Sequence, residues 1–444
     1  MLDKKVKIND RVLFILFLIF PMIKCDEKAV GIWLGSQIAG AIKNILVLWN
    51  LFSLMVILIL FLYKIRRYGI QFVKIYTWLA IILFMVFTIS TIMCRNIGIY
   101  NIIRAIGNIA AVFMLVNTLC DEDYMVCLQG FYYYLTAIMV VAALTIYLFQ
   151  PAYTNSNGSA YYLYGLDNVT FLYSMNGFFA GMIYYLSKDG KLKWPFLLTY
   201  LFIGGAYVYT GTGTGTVIFL LCILFVIFYR NQWLNLLNYK MVLSLCALIF
   251  VFLVLVQNLS AFSGLLGLIG KDTTMSGRTI LWSAAFREFP KHMLMGIGIS
   301  TSLLGEILVS QGVSWGTGIG HLHNVLMEYL FRGGIVNLTV FILMWLGCYK
   351  TVRRSEKKVL GNCFLCMVLI QFLAYMFEYR LEDISYWILL MSGYHLSYLT
   401  DCMETALSEN PQVQNDELEA DAGEKKENHR ICIFLGKIWK RFRG

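Results

Sequence analysis

Long apolar runs separated by short charged turns recur along this chain, and that alternation constrains its fold more than any other feature. Each run has about 18 residues or more, enough to cross a hydrocarbon core of about 30 Å as an α-helix. A membrane β-barrel would show alternating segments of about ten residues instead. Of the 444 residues 59% are hydrophobic and 14% charged, where a soluble globular domain carries about 25% charged, and the mean hydropathy is +0.68. The expected fold is therefore an all-α polytopic integral membrane protein. Twelve transmembrane helices are expected at 11–24, 43–63, 72–93, 97–119, 124–149, 168–187, 194–210, 214–229, 240–258, 324–348, 361–378 and 383–400. The segment 28–42 is apolar enough to lie in the interface or re-enter the bilayer. No small-x-small cleavage site follows the first run, so it reads as a retained helix and not a signal peptide.

The net charge of +10 does not indicate nucleic acid, because the excess sits in short loops beside the apolar runs. Lys4, Lys5, Lys7 and Arg11 precede the first span, and Lys64, Arg66, Arg67 and Lys74 join the second and third. Lys188, Lys191 and Lys193 join the sixth and seventh, and Arg230 and Lys240 the eighth and ninth. The densest group, Lys350, Arg353, Arg354, Lys357 and Lys358, joins the tenth and eleventh. Twelve spans put all of these on one side, the cytoplasm, together with both termini. The loops 150–167, 211–213 and 259–323 and the turn around Glu378-Tyr-Arg380-Leu-Glu382-Asp383 then face outward, and the ionisable residues at membrane depth or helix ends gather there. Such residues are costly in a membrane and mark function.

The chain divides into a transmembrane domain, 1–400, an acidic disordered linker, 401–428, and a basic amphipathic helix, 429–444, suited to an anionic leaflet. The long outer segment 259–323 is expected to hold short helices. The eleven cysteines show no paired spacing, and Cys363-x-x-Cys366 has no second pair or nearby histidine, so all read as small buried residues.

Candidate chemistry concentrates between Ser276 and Asn337. Arg278 follows Gly277; its planar guanidinium suits phosphate oxygens, or snorkels to lipid headgroups. His323 stands before an apolar helix, where a neutral imidazole could take a proton from a sugar hydroxyl. Asn324 beside it also suits a helix N-cap. Glu328 and Arg332 are four apart in the order that stabilises a helix. His321-x-His323 lacks a third ligand, so no metal is assigned. The Thr210–Thr216 turn, with Thr212 and Thr214, lacks the lysine of a phosphate-cradling loop; it serves close helix packing or offers hydroxyls to a phosphate or sugar. Asp167 and Asn168 end a loop rich in tyrosine, asparagine and glycine, a mix that stacks on and hydrogen-bonds sugars, and also suits a helix start. Arg95 and Arg380 lie at outer ends of spans.

From Gly277 to Gly334 the chain resembles the O-antigen polymerase/ligase family of bacterial membrane glycosyltransferases. The likeness rests on Gly277-Arg278-x-x-x-Trp282, Pro290 before Gly296-Ile-Gly298, the long outer segment, and His323-Asn324-x-x-x-Glu328 ahead of a glycine pair. The family's Thr/Ser-Gly-Ser-Arg turn appears as Thr210–Thr216 without its arginine, so Arg95, Arg104 or Arg380 is left to supply the second cation. The resemblance implies a GT-C-like helical architecture and metal-independent transfer, without cofactor, of an undecaprenyl-diphosphate-linked glycan on the outer face. His323 would activate the acceptor and Arg278 hold the diphosphate. Asn324, Glu328, Trp282, Asp167, Asn168, Arg95, Arg380, Thr212 and Thr214 would shape the substrate site. Undecaprenyl-diphosphate-linked oligosaccharide would serve as donor and acceptor, with membrane lipids, a flippase and a chain-length regulator as further partners. The expected activity is polymerisation of capsule, exopolysaccharide or O-antigen repeat units. A ligase of the same family is the nearest rival. A flippase needs charges along a central path, and a transporter a repeat or broken-helix pair; neither pattern stands out.

Overall fold

The computed structural model describes residues 10–94, 102–121, 123–154, 160–256, 277–316 and 319–409, without the side chains of residues 104, 105 and 167–169. Helices occur at all twelve expected places. They are α1 (Asp10–Ile19), α3 (Ser36–Tyr68), α4 (Ile75–Met93), α5 (Asn108–Leu119), α6 (Tyr124–Leu148), α7 (Asp167–Asp189), α8 (Trp194–Tyr209) and α9 (Gly213–Phe228). After them come α10 (Tyr239–Phe250, continued as a π-turn to Val256), α13 (Val325–Gly347), α15 (Val359–Phe377) and the broken pair α16 (Tyr386–Tyr394) and α17 (Leu396–Ser408). Among the described residues six helical segments are long and apolar enough to span a bilayer unaided: 36–68, 75–93, 124–148, 239–256, 325–355 and 359–377. The protein is an all-α polytopic membrane protein.

The remaining helices are short. They are α2 (Glu27–Leu34), α11 (Arg278–Glu288), α12 (Thr301–Ser310) and α14 (Tyr349–Ser355). The segment 28–42, expected in the interface, folds as α2 and the first turns of α3, bent apart at Gly35 with φ 97°. The loop 150–167 carries a small antiparallel sheet, β1 (Tyr153–Thr154), β2 (Ala160–Tyr162) and β3 (Gly165–Leu166). Tyr153 and Tyr161 are paired across it and stack at 4.5 Å, and the Tyr153 hydroxyl donates to Asp26, the N-cap of α2.

Helix α7 is the centre of the bundle, buried nearly all round and packed by α6, α8, α9, α15, α16 and α17. Helix α3, by contrast, exposes Ile45, Leu48 and Leu62, as suits a wall facing lipid. A second, smaller core joins the outer segment to α13: Leu281, Trp282, Ala285, Ile297, Leu304, Leu308, Leu322 and Phe331.

Helix α13 was expected as an unbroken span, but Gly334 takes φ 68° and ψ −172° inside it. Backbone groups freed by such a break must find protein partners at membrane depth. The turn Met293–Gly298, with Gly296 and Gly298 at φ 70° and 74°, supplies them. Ile297 and Gly298 donate to the carbonyls of Phe331 and Arg332, and Ile335 donates to the Met293 carbonyl at 2.9 Å. The approach is so close that a Cβ on Gly334 would lie 2.0 Å from the Leu294 carbonyl oxygen. Gly334→Ala therefore combines a forbidden φ with a backbone overlap, a cost of about 2–5 kcal/mol. The expected result is a marked fall in Tm of the detergent-solubilised protein, while Gly40→Ala, in open space within α3, leaves it unchanged.

Two expectations need correcting. Helix α17 continues to Ser408, so Asp401 and Glu404 belong to a helix and not to a disordered linker; the expected basic helix at 429–444 lies outside the described residues. The cysteines are not all unpaired, because Cys120 and Cys127 form a disulfide across the turn between α5 and α6, with Cα atoms 5.9 Å apart. A seven-residue separation matches no familiar metal or redox motif. The bridge also stands at odds with the orientation read from the basic loops, which places this turn in the cytoplasm, where thiols are kept reduced.

Candidate active site

The site grows from the turn that precedes α13. Asn324 caps the helix, its Oδ1 accepting from the Met327 N–H at 3.1 Å, while its Nδ2 donates to the Met376 carbonyl at 3.3 Å near the end of α15. His323, just before this cap, has φ 55°, a left-handed conformation uncommon outside glycine and found where surrounding structure over-determines it. Three interactions do so here. The Leu322 N–H donates to the Glu328 carboxylate, and the Leu322 carbonyl accepts from Trp282 Nε1 at 2.8 Å. The Arg332 guanidinium, paired with Glu328, donates to the carbonyls of Gly320, Gly298 and Ser300.

Trp282 links the two halves of the site. It lies four residues after Arg278 on α11, so both side chains leave the same face of that helix. Trp282 is fully buried in the outer core, and its bond to Leu322 fixes Arg278 beside His323. Between the two stands Glu378, immediately after α15. His323 Nδ1 lies 3.0 Å and 3.1 Å from its two carboxylate oxygens, and Arg278 Nη2 lies 3.3 Å from Oε2. The imidazole is the most open of the three, with 28% of its side chain exposed against 5% for Glu378 and 13% for Arg278.

Burial opposes charge on Glu378, but His323, Arg278 and Arg380 outweigh it and hold the carboxyl down to about 2. It is thus an acceptor at any ordinary pH. A carboxylate accepting from Nδ1–H fixes the histidine tautomer and leaves Nε2 with the lone pair. The turn beyond Glu378 is pinned by Asp383, which accepts from the Ser385 N–H at 2.8 Å and from the Tyr375 hydroxyl at 2.5 Å. Burial pushes the Asp383 carboxyl up despite those bonds. Asn176 of α7 donates to the Tyr375 and Ser385 hydroxyls at 2.7 Å and 2.8 Å, tying the turn to the central helix.

Of the residues singled out in the sequence, His323 and Arg278 are brought together. Trp282, Asn324 and Glu328, expected to touch substrate, are instead fully buried, and their polar atoms are taken by protein partners. They brace the site from behind. Arg380 lines a cavity of ≈ 370 Å³ with Glu382, Tyr164, Tyr173 and Lys24, walled on the far side by α2 and α3. Desolvation holds the neighbouring His321 imidazole below its ordinary value, against the pull of Glu382 and Glu328. Thr212 is buried and Thr214 half-buried at the α8–α9 turn, where the Thr210 and Thr212 hydroxyls bond each other at 2.9 Å. Asp167 and Asn168 open α7, but their side chains, like Arg95 and the Arg104 side chain, lie outside the described set. Among the described residues no group of three or more His, Cys, Asp or Glu side chains is placed to hold a metal ion.

Sequence reasoning missed Glu378. It recognised the charged turn Glu378-Tyr-Arg380-Leu-Glu382-Asp383 but not which carboxylate folds inward. The available clue is position: Glu378 is the first residue after the apolar run, at the same end of the bundle as His323.

The architecture defines a class, a polytopic helical membrane protein with a histidine–glutamate–arginine cluster at one end of its helices. Residues 198–342 match the family model described as O-antigen ligase, a stretch that holds Arg278, Trp282, His323, Asn324 and the glycine pair. Over those residues, 145 of the 444, the chain is similar to that family. No curated protein matches the chain.

Proposed function

We propose that the protein is a polysaccharide polymerase that joins undecaprenyl-diphosphate-linked repeat units on the outer face of the membrane. Both termini then lie in the cytoplasm, the orientation that five basic clusters support and that the Cys120–Cys127 bridge opposes. The observation that carries this reading is the junction of His323 and Arg278 through Glu378, a base and a phosphate-binding cation sharing one carboxylate. His323 Nε2 takes the proton of the acceptor sugar hydroxyl as its oxygen attacks the anomeric carbon of the donor. The bond from that carbon to the phosphate oxygen breaks, and undecaprenyl diphosphate leaves with the electron pair, its charge held by Arg278. The site needs neither nucleotide sugar nor metal if cationic side chains stabilise the leaving group. Arg380, in the lining of the ≈ 370 Å³ cavity, supplies the second cation and the sugar-facing wall.

Deleting the gene and restoring wild-type, His323→Ala or Arg278→Ala protein at equal membrane levels tests the reading. Each variant is expected to lower polymer formation by about 10²-fold or more. Long polymer at wild-type level in both would refute the assigned roles. The family description favours a second reading, a ligase moving finished glycan to a lipid or protein acceptor. The lipid-linked material in the deletion strain separates them, since single repeats build up without a polymerase and long lipid-linked chains without a ligase. Lipid-linked repeats trapped on the cytoplasmic face would point to a flippase.

A further inference from the structure

Three polar side chains are buried inside the bundle away from the catalytic cluster: Asn176 on α7, and Gln371 and Tyr375 on α15. Helix α15 is long and apolar enough to span the bilayer, and Gln371 stands about 10 Å below Glu378 along it. Polar groups at that depth are costly unless each is bonded within the protein. These three are bonded in a fixed order. Gln371 Nε2 donates to Asn176 Oδ1 at 2.9 Å and to the Tyr386 carbonyl at 3.1 Å. The Asn176 oxygen is thereby fixed as the acceptor, and its Nδ2 donates to the Tyr375 and Ser385 hydroxyls at 2.7 Å and 2.8 Å. Both hydroxyls pass their own hydrogens to Asp383, at 2.5 Å and 2.6 Å.

This chain of bonds ends on the turn that carries the active carboxylate. Tyr375 lies in the last turn of α15, and Asp383, eight residues later, precedes α16. Their bond closes the loop between the two helices, and the Asp383 N–H tightens it by donating to the Arg380 carbonyl at 3.0 Å. A second anchor lies inside the loop, where the buried Tyr379 hydroxyl bonds that of Tyr329 on α13 at 2.7 Å. Glu378 is extended, with φ −146° and ψ 125°, so its side chain leaves the side opposite to Tyr379. Held at Tyr379 and at Asp383, the backbone presents Glu378 to His323 Nδ1 and Arg278 Nη2. The bonds of Asn176 and Tyr375 stop at Ser385 and Asp383 and do not reach the cluster itself.

We propose that Asn176 and Tyr375 are positioning residues, which act through Asp383 to keep the Glu378 carboxylate against His323 and Arg278. The proposal rests on the reading of that cluster given above and extends the machinery inward from the turn to the central helix.

The test measures turnover of lipid-linked glycan extracted from the deletion strain by full-length protein in nanodiscs, per folded molecule. Tyr375→Phe removes one hydroxyl, and Asn176→Leu removes both donors. Each is expected to lower kcat by about tenfold or more, since displacing a catalytic group by about 1 Å can cost about 10²-fold. In a Glu378→Gln background neither is expected to lower it further, because the carboxylate they position is gone. The control is Tyr200→Phe, which loses a buried hydroxyl bonded to Thr136 at 3.0 Å and is expected to keep wild-type kcat. A merely structural role would lower yield and Tm and leave kcat per folded molecule unchanged. That result overturns the proposal alone, as does a loss that multiplies in full with that of Glu378→Gln. Should Asn176→Leu yield no folded protein, Tyr375→Phe decides by the same two measurements. Wild-type protein that does not consume the glycan, or His323→Ala protein that consumes it at the wild-type rate, overturns the reading of the cluster and the proposal with it.

Discussion

Glu378→Gln is expected to lower turnover by about 10²-fold or more while the amount of protein in the membrane stays near wild type. The carboxylate touches both active groups, at 3.0 Å and 3.1 Å from His323 Nδ1 and 3.3 Å from Arg278 Nη2. The amide keeps the shape but not the charge. It no longer stabilises the imidazolium that forms when Nε2 takes a proton, and it places an NH2 group where an acceptor is required. Loss of imidazole orientation falls on kcat and release of Arg278 on the KM for the lipid-linked donor, so both parameters move. Glu378→Asp keeps the charge on a shorter arm and is expected to recover part of kcat. A purely structural role would lower protein yield in both variants and leave the turnover of the surviving protein unchanged. The pH dependence has a definite sign. The folded carboxyl is depressed to about 2 from an ordinary 4.5, so its stabilising contribution is complete above the ordinary value and is lost only as pH falls from there towards 2. Activity lost between pH 5 and 7 therefore does not arise from protonation of Glu378.

Much of this was legible in the sequence because membrane crossing imposes a length and a polarity on every element. Apolar runs located the helices, and the pattern from Gly277 to Gly334 singled out His323 and Arg278, which meet at Glu378. What the sequence left open is long-range pairing. Glu378 lies 55 residues beyond His323, in a turn with three carboxylates, and only the fold shows which of them meets the imidazole. Gly333-Gly334 was visible as a glycine pair but not as a break, since the break depends on Met293–Gly298 coming alongside. Trp282, Asn324 and Glu328 enter the substrate site through the family resemblance, which rests on polar groups clustered near a histidine. Their bonds show that clustering also arises when a strained loop has to be held. The i, i+4 relation of Glu328 and Arg332, the plainest reading of those two residues, is the one their geometry shows.

That pair carries the other large expected effect. Arg332 and Glu328 are 1% and 0% exposed, and between them they hold the Leu322 N–H and the carbonyls of Gly298, Ser300 and Gly320. Arg332→Ala strands a buried carboxylate and several backbone acceptors. Removing one partner of such a pair costs about 3–5 kcal/mol, a large share of the roughly 5–15 kcal/mol that holds a typical folded domain together. Arg332→Ala and Glu328→Ala are each expected to lower Tm sharply in detergent and to leave little folded protein. Glu328→Gln with Arg332→Met removes both charges and retains much of the volume. It is expected to cost clearly less than the two single losses added together, because no ion is left unpaired. Its activity is the more telling measurement. The guanidinium fixes three carbonyls that methionine cannot bind, and one of them, that of Gly320, belongs to the loop that sets His323 at φ 55°. A double variant that folds well yet turns over slowly would show that this buried pair serves chiefly to place the imidazole. Full activity would mean that the Trp282–Leu322 bond and the Asn324 cap hold the loop without it.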